Sequence, residues 1–362
     1  DLHEPSRRQR HMCIRDRIKY CYMKNIGILG AGKIGGTIYD YLKTTEHNVT
    51  VADKFGNDEV QKLDVFNKAD LDAFVSKQDI IVSAAPYDAN PLIADSCNEH
   101  NVAYFDLTED TAVTDHIKTF NSDVFMMPQC GFAPGAINIV ASNLMKQFTR
   151  VDKVNMRGGA LPKYPNNQMS YYLTWSTSGL INEYINECDV IRNGVHKKTQ
   201  PLDGLETLYI DGDRYDAFNT SGGAASMCET FQGKVKTLDY KTIRYPGHHS
   251  SMKFLLDDLN LKHNKEKFID LFDQEVPYTT ADVIVMFCSV VGIKDGTLQE
   301  VTYSKKIYGD ENFSAIQRTT ASGMCAIVLA YAEGKLTGKG FQRQEDVPLE
   351  TFLSNKFGQL YE

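Results

Sequence analysis

Short apolar runs recur through the first third of the chain, and each is followed by a longer stretch whose apolar positions have helical spacing. The runs predict strands at 26–29, 49–52, 60–63, 80–83, 103–106 and 124–127. The stretches between them predict helices that include 33–43, 68–76 and 90–100. Strands alternating with helices imply a parallel sheet covered on both faces. Ligands of such sheets bind beyond the carboxyl ends of the strands, where the strand order reverses. Three motifs fall at those ends: Ala84-Ala85-Pro86-Tyr87, Asp106-Leu107-Thr108-Glu109-Asp110 and Gln129-Cys130-Gly131-Phe132-Ala133-Pro134-Gly135. The last opens a helix that runs to near Gln147, with proline suited to its first turn.

After about Thr149 the pattern changes. Runs at 151–156, 171–176, 205–210 and 241–245 predict strands without regular crossover helices, hence a mixed or antiparallel sheet. From near Ser314 to Ala332 an alanine-rich helix is apolar on most faces and ends in Glu333-Gly334-Lys335. A helix of that kind is expected to return to the first layer and pack against it, which makes the intervening segment an insertion.

The first strand runs directly into Gly30-Ala31-Gly32-Lys33-Ile34-Gly35. In this spacing Gly30 allows a tight turn, Gly32 lets backbone approach a pyrophosphate, and Gly35 lets the following helix sit close to the strand. The helix then directs its free N–H groups and positive end at the phosphates. The second strand ends in Asp53, 18 residues beyond Gly35, close to the spacing of a ribose-binding acid. A carboxylate there favours NAD over NADP, although Lys54 beside it could partly offset a 2′-phosphate. The small residues Ala84-Ala85-Pro86 would let backbone lie against the nicotinamide half, and a plain strand-end turn would look the same. The fold class that follows is α/β: a Rossmann doubly wound parallel sheet with an inserted α+β substrate domain. The boundaries are 23–148 plus 312–362 for the dinucleotide domain and 149–311 for the substrate and dimerisation domain.

Composition narrows the function classes. Hydrophobic residues at 42% and charged residues at 24% fit a water-soluble globular chain, and the formal net charge of −8 argues against a nucleic-acid partner. No apolar stretch is long enough to span a membrane. Eight cysteines are scattered without paired spacing, so they read as reduced thiols in a cytoplasm and not as a metal site. Residues 1–22 hold Arg7, Arg8, Arg10, Arg15 and Arg17 and no apolar core of a secretory signal. They read as a disordered or non-native tail ahead of a natural start at Met23.

Removing a proton as a hydride leaves calls for a base in a partly dry cleft. Asp106, Glu109 and Asp110 cluster where the nicotinamide should lie, and Asp106 is the first choice. Thr108 as a helix N-cap with acids in the first turn is the alternative for Glu109 and Asp110. In Tyr245-Pro246-Gly247-His248-His249 no further metal ligands follow, so His248 reads as the second candidate base. Arg244 could fork onto a substrate carboxylate. The helix start at Pro134-Gly135 could present free N–H groups to the crevice. Two Tyr-x-x-x-Lys spacings, Tyr39 with Lys43 and Tyr331 with Lys335, cannot be placed over a nicotinamide and read as coincidence.

Taken together the motifs resemble the saccharopine dehydrogenase-like family, nearest its lysine 6-dehydrogenase branch. The likeness runs from about Met23 to Gly334. It is carried by the glycine loop, Asp106-Leu107-Thr108, Cys130-Gly131-Phe132-Ala133-Pro134-Gly135 and Arg157-Gly158-Gly159-Ala160-Leu161-Pro162. It continues in Thr174-Trp175-Ser176, Phe218-Asn219-Thr220-Ser221-Gly222-Gly223, the segment from Lys241 to His248, and Arg318-Thr319-Thr320-Ala321. The resemblance implies a homodimer that oxidises a C–N bond of an amino acid or polyamine, or runs the reverse condensation. It places Lys33, Ile34 and Leu107 beside the dinucleotide, and Asp106, Trp175, Thr220, Arg244 and His248 around the substrate. Arg244 or Arg157 would hold an α-carboxylate and Trp175 would wall an aliphatic chain. Members acting on saccharopine or carboxynorspermidine tend to carry an acid where this chain has Ala133, which points to oxidation of the ε-amine of L-lysine. The extra alanine in Gly158-Gly159-Ala160-Leu161-Pro162 departs from the usual Gly-Gly-Leu-Pro. A reductive condensing enzyme and a non-catalytic NAD-binding sensor are the alternatives.

Overall fold

The computed structural model describes residues 23–362, and the expectation for residues 1–22 lies outside them. The first layer is a parallel sheet of β1 (Asn25–Leu29), β2 (Asn48–Asp53), β3 (Gln61–Lys62), β4 (Ile80–Ser83), β5 (Ala103–Asp106) and β6 (Met126–Met127). Its order is β3-β2-β1-β4-β5-β6, so the winding reverses between β1 and β4. The central strands β1 and β4 read as nearly unbroken apolar runs because both faces are covered. Ile80 and Val82 enter one core and Ile81 the other. The reversal leaves the carboxyl ends of β1 and β4 side by side, which is where the crevice of a doubly wound sheet opens.

The second layer is an eight-stranded mixed sheet. At its centre β7 (Arg150–Pro162) pairs in parallel with β12 (Val235–Arg244) and antiparallel with β13 (Asp282–Lys294). The edges are β14 (Thr297–Tyr308) on one side and β10 (Glu206–Ile210) with β11 (Asp213–Asn219) on the other. The hairpin of β8 (Cys188–Arg192) and β9 (Val195–Thr199) attaches to β12. The hairpin β13–β14 turns on Asp295 and Gly296, at φ of 51° and 77°, the left-handed pair that a two-residue turn of this twist requires. Segment 171–176, expected as a strand, is instead a covering loop. Only Leu173 bridges, to Tyr278, because the segment lies over the helices Thr177–Ile185 and Lys265–Glu275 and has no neighbouring strand to pair with.

The long helix is Ala315–Ala332, opened by a capping box between Ser314 and Gln317. It returns the chain to the first layer. Gln317 Nε2 donates to Thr37 Oγ1 on the helix Lys33–Leu42 at 3.1 Å, and the Tyr331 ring lies 4.4 Å from that of Phe125. No helix among the described residues is long and apolar enough to cross a membrane. Asp282, from the start of β13, also accepts the first helical amides, Ala315 N at 2.6 Å and Ile316 N at 3.0 Å. One carboxylate thus satisfies two otherwise orphaned donors and joins the two layers. Asp282→Ala should cost about 1–2 kcal/mol of unfolding free energy, read from urea denaturation, with both layers loosening in one transition.

Candidate functional site

A cleft of about 980 Å³ lies between the carboxyl ends of β1, β2, β4 and β5 and the face of the second sheet. Its dinucleotide side is lined by Gly30, Gly32, Lys33, Ile34, Gly35, Asp53, Ala84, Ala85, Pro86 and Leu107. The glycine roles can be read from the space around them. A Cβ on Gly35 would stand 1.9 Å from the Gly30 carbonyl oxygen, and one on Gly30, at φ 99°, would stand 2.6 Å from that of Ala84. Gly32 is different: nothing lies within 4 Å of its Cβ position, so it opens onto the crevice. Asp53 Oδ2 accepts the Ala31 amide at 2.7 Å, which ties the ribose end to the loop. Lys54, in contrast, is outside the lining and leans on Asp64 at 3.8 Å. Lys33 Nζ sits 3.6 Å above the Tyr278 ring, so the loop touches the second layer across the cleft mouth.

The substrate side is built by the second layer. Gly158, Gly159 and Ala160 of β7 form a floor of small residues. A Cβ on Gly159 would meet the Ile243 carbonyl oxygen at 2.3 Å, so β7 and β12 could not otherwise approach as they do. Trp175, Glu183, Thr242, Arg244 and Tyr278 form the walls. Gly179 lets the indole lie against the helix Thr177–Ile185, since its Cβ would come within 2.5 Å of the ring. Glu109 reaches across from the first layer between Gly179 and Gly222, each of which would crowd it with a Cβ, at 3.3 and 2.7 Å.

Two acids here are raised by burial. Burial pushes the Glu183 carboxyl up to about 8, with Arg244 pulling it down and Glu109 adding to the rise. Burial also raises Glu109, against its own backbone amide. Arg244 is buried, and its guanidinium is held by Tyr184 OH at 2.9 Å on Nε and by the Ile243 carbonyl at 2.9 Å on Nη1. Nη2 has no hydrogen-bond partner among the described residues.

Several expected site residues lie elsewhere. Asp106 is fully buried behind the cleft wall, where it accepts the amides of Thr108 at 3.1 Å and Gln129 at 2.8 Å and the Tyr104 hydroxyl at 2.8 Å. It shapes the loop and has no open side for a substrate, although burial raises it to about 6. His248 is fully buried too, its Nε2 3.0 Å from Tyr184 OH. Burial and the nearby Arg244 hold it well below the usual histidine range, and it is not among the residues that line the cleft. The Arg157 guanidinium is taken by Asp239 at 2.7 Å and by Glu206, in a buried ion network outside the cleft. Thr220 spends its hydroxyl on Thr242 at 2.8 Å, and Thr242 is the one that lines the wall. The helix start after Pro134 offers no free amides, because those of Ala136 and Ile137 go to the carbonyls of Gly131 and Phe132, both at 3.0 Å. Thr108 is not a helix cap either, since Asp110 caps the helix Thr111–Lys118. Glu183 was the missed residue. Its only sequence signal is an acid beside the apolar stripe Leu180, Ile181 and Tyr184.

Known proteins share this fold. Residues 26–127 match the family described as saccharopine dehydrogenase NADP binding domain, and residues 131–357 match the saccharopine dehydrogenase C-terminal domain. The chain belongs to the saccharopine dehydrogenase family. Among relatives, the mouse mitochondrial alpha-aminoadipic semialdehyde synthase is 22% identical over 328 residues, covering 80% of this chain and 34% of its own length. A fission yeast (Schizosaccharomyces pombe) saccharopine dehydrogenase, named NADP(+), L-glutamate-forming, is 22% identical over 301 residues, covering 72% of this chain and 64% of its own. The chain therefore spans only about a third of the mouse protein and under two thirds of the yeast one. The apo saccharopine dehydrogenase (L-Glu forming) of Saccharomyces cerevisiae superimposes with a TM-score of 0.75 at 16% identity, over 92% of this chain and 98% of that one.

The open space at Gly32 makes a direct test of the glycine loop. Gly32→Ala should leave the unfolding midpoint unchanged, because the added methyl meets nothing in the protein. It should weaken dinucleotide binding about tenfold or more, as measured by calorimetric titration, because the methyl occupies the approach to the pyrophosphate.

Proposed function

We propose that the protein is an NAD-dependent dehydrogenase of an amino-acid side-chain amine, with L-lysine as the substrate oxidised at its ε-amine. The product imine hydrolyses to the semialdehyde, which can cyclise, and to ammonia. The observation that carries this reading is the charge inventory of the cleft. Its cations are Arg244 on the substrate side and Lys33 at the glycine loop, whereas Glu109, Glu183 and Asp273 are acids of the substrate side. One cation among acids suits a ligand with one carboxylate and a distant ammonium. Saccharopine, with three carboxylates, would meet a single guanidinium and several carboxyls.

The glycine cradle and the Asp53 carboxylate fit a dinucleotide, and the absence of Lys54 from the lining supports NAD. When bound, that group supplies a hydride acceptor for the carbon that bears the amine. The protein's own residues do the rest. Arg244 holds the carboxylate, with Nη2 available for it. Trp175 and Tyr278 exclude water from the aliphatic chain. Glu183 takes the proton that the ammonium loses, and Glu109 attracts the same end of the substrate.

The pH dependence has a definite sign. A carboxyl at about 8 cannot accept a proton until it ionises, so kcat/KM should rise as pH passes upward through that value. Glu183→Gln should lose this limb and about 10²–10⁴-fold of kcat while still binding NAD. The whole reading is tested by NADH formation at alkaline pH with L-lysine and with saccharopine as alternatives. L-lysine is expected to be turned over with the higher kcat/KM. The names of the yeast relatives favour the second reading, a saccharopine-type reaction with NADP(H). A higher kcat/KM for saccharopine would replace the first reading with that one.

A further inference from the structure

Behind the cleft wall, two side chains that the proposed chemistry does not use are joined to Arg244 in a hydrogen-bonded line. Arg244 Nε lies 2.9 Å from Tyr184 OH, Tyr184 OH lies 3.0 Å from His248 Nε2, and His248 Nδ1 lies 3.3 Å from the Met169 carbonyl oxygen. The direction of every proton along this line is fixed by the one group that can only donate. Arginine Nε–H must donate, so the Tyr184 oxygen accepts. The Tyr184 proton then has one partner, His248 Nε2, which accepts. His248 therefore carries its hydrogen on Nδ1 and gives it to the Met169 carbonyl.

We propose that Tyr184 and His248 are positioning residues that lock the Arg244 fork so that Nη2 is held out for a substrate carboxylate. This rests on the reading of Arg244 as the carboxylate anchor. Tyr184 fixes the inner edge of the guanidinium. The carbonyls of Ile243 and Ala160, at 2.9 and 3.4 Å, fix Nη1. The Tyr171 ring, 5.3 Å from Cζ, lies against the plane. A free arginine side chain loses several rotors on binding a ligand, and this one has already lost them. His248 in turn keeps the Tyr184 hydroxyl from rotating. The histidine is wedged between the rings of Tyr171 at 4.7 Å and Phe218 at 6.4 Å and is wholly buried. Next to a buried guanidinium it stays neutral, as the line of acceptors requires.

The test uses the chain's single tryptophan, Trp175, which lines the same cleft and should therefore report ligand binding by its fluorescence. Full-length protein is titrated with L-lysine and with 1,5-diaminopentane, which has the two amines and no carboxylate. Tyr184→Phe keeps the ring and removes the oxygen that Arg244 needs. It should raise the apparent Kd for L-lysine about tenfold or more and leave that for the diamine within about twofold. His248→Leu should do the same, and His248→Gln, which can still accept from Tyr184, should restore most of the lysine affinity. A general loosening of the core would weaken both ligands equally, and that result overturns the proposal. Unchanged lysine affinity in a folded Tyr184→Phe protein also overturns it while leaving the substrate reading intact. A wild-type protein whose fluorescence ignores L-lysine overturns both together.

Discussion

The substrate side of the cleft is organised around one buried guanidinium. Removing a charge from water is costly unless its donors are met, and Arg244 meets that cost with a phenol oxygen and backbone carbonyls, not with a carboxylate. Its charge is therefore not neutralised by an ion pair among the described residues. The neighbouring Glu183 does not quench it at neutral pH, because burial keeps that carboxyl protonated up to about 8. On the substrate side the Arg244 charge thus shares the cleft with a Glu183 carboxyl that is neutral at neutral pH. In the proposed reaction an incoming ammonium would favour the ionised form of the acid, which would couple binding at one end to proton transfer at the other through a common low-dielectric space.

This arrangement depends on close approach of two layers that are separate in the sequence. Glu109 comes from the loop after β5, and the groups that face it come from the helix Thr177–Ile185 and from the turn at Gly222. Glycine at 179 and 222 leaves the room through which the Glu109 side chain passes. Lys33 over the Tyr278 ring joins the glycine loop to the same wall. The dinucleotide half fixes where a hydride can go, and the second layer fixes which carbon is brought there.

The first layer was legible because its signals are local. Apolar runs, a glycine loop and an acid at the expected spacing follow one another within a single supersecondary unit, and the strand ends fell within a residue or two at β1, β2, β4 and β5. The second layer is held by pairings between distant segments, and the segment 171–176 has the apolar pattern of a strand but no partner strand. The Asp295-Gly296 turn carried the signal for the β13–β14 hairpin that the apolar pattern alone did not give. In the site, Trp175, Arg244 and the glycine loop line the cleft as the motifs suggested. Asp106 and His248 do not line the cleft, for one reason: sequence position cannot say whether a polar side chain near a strand end turns outward to a ligand or back to satisfy its own surroundings. Asp106 turned back to the amides of Thr108 and Gln129, and His248 turned back to Tyr184. Glu183 belongs to no motif, and only tertiary burial makes it an acid worth noticing.

The central claim is that the carboxylate is held at Arg244 so that the far amine, not the α-amine, reaches the hydride acceptor. The most direct measurement follows deuterium from L-lysine into the reduced dinucleotide by mass spectrometry. L-lysine deuterated at C6 should deliver one deuterium to the nicotinamide and show a primary isotope effect, whereas L-lysine deuterated at C2 should deliver none. Transfer from C2 would contradict the account, because it would bring the α-carbon, and not the ε-carbon, to the hydride acceptor.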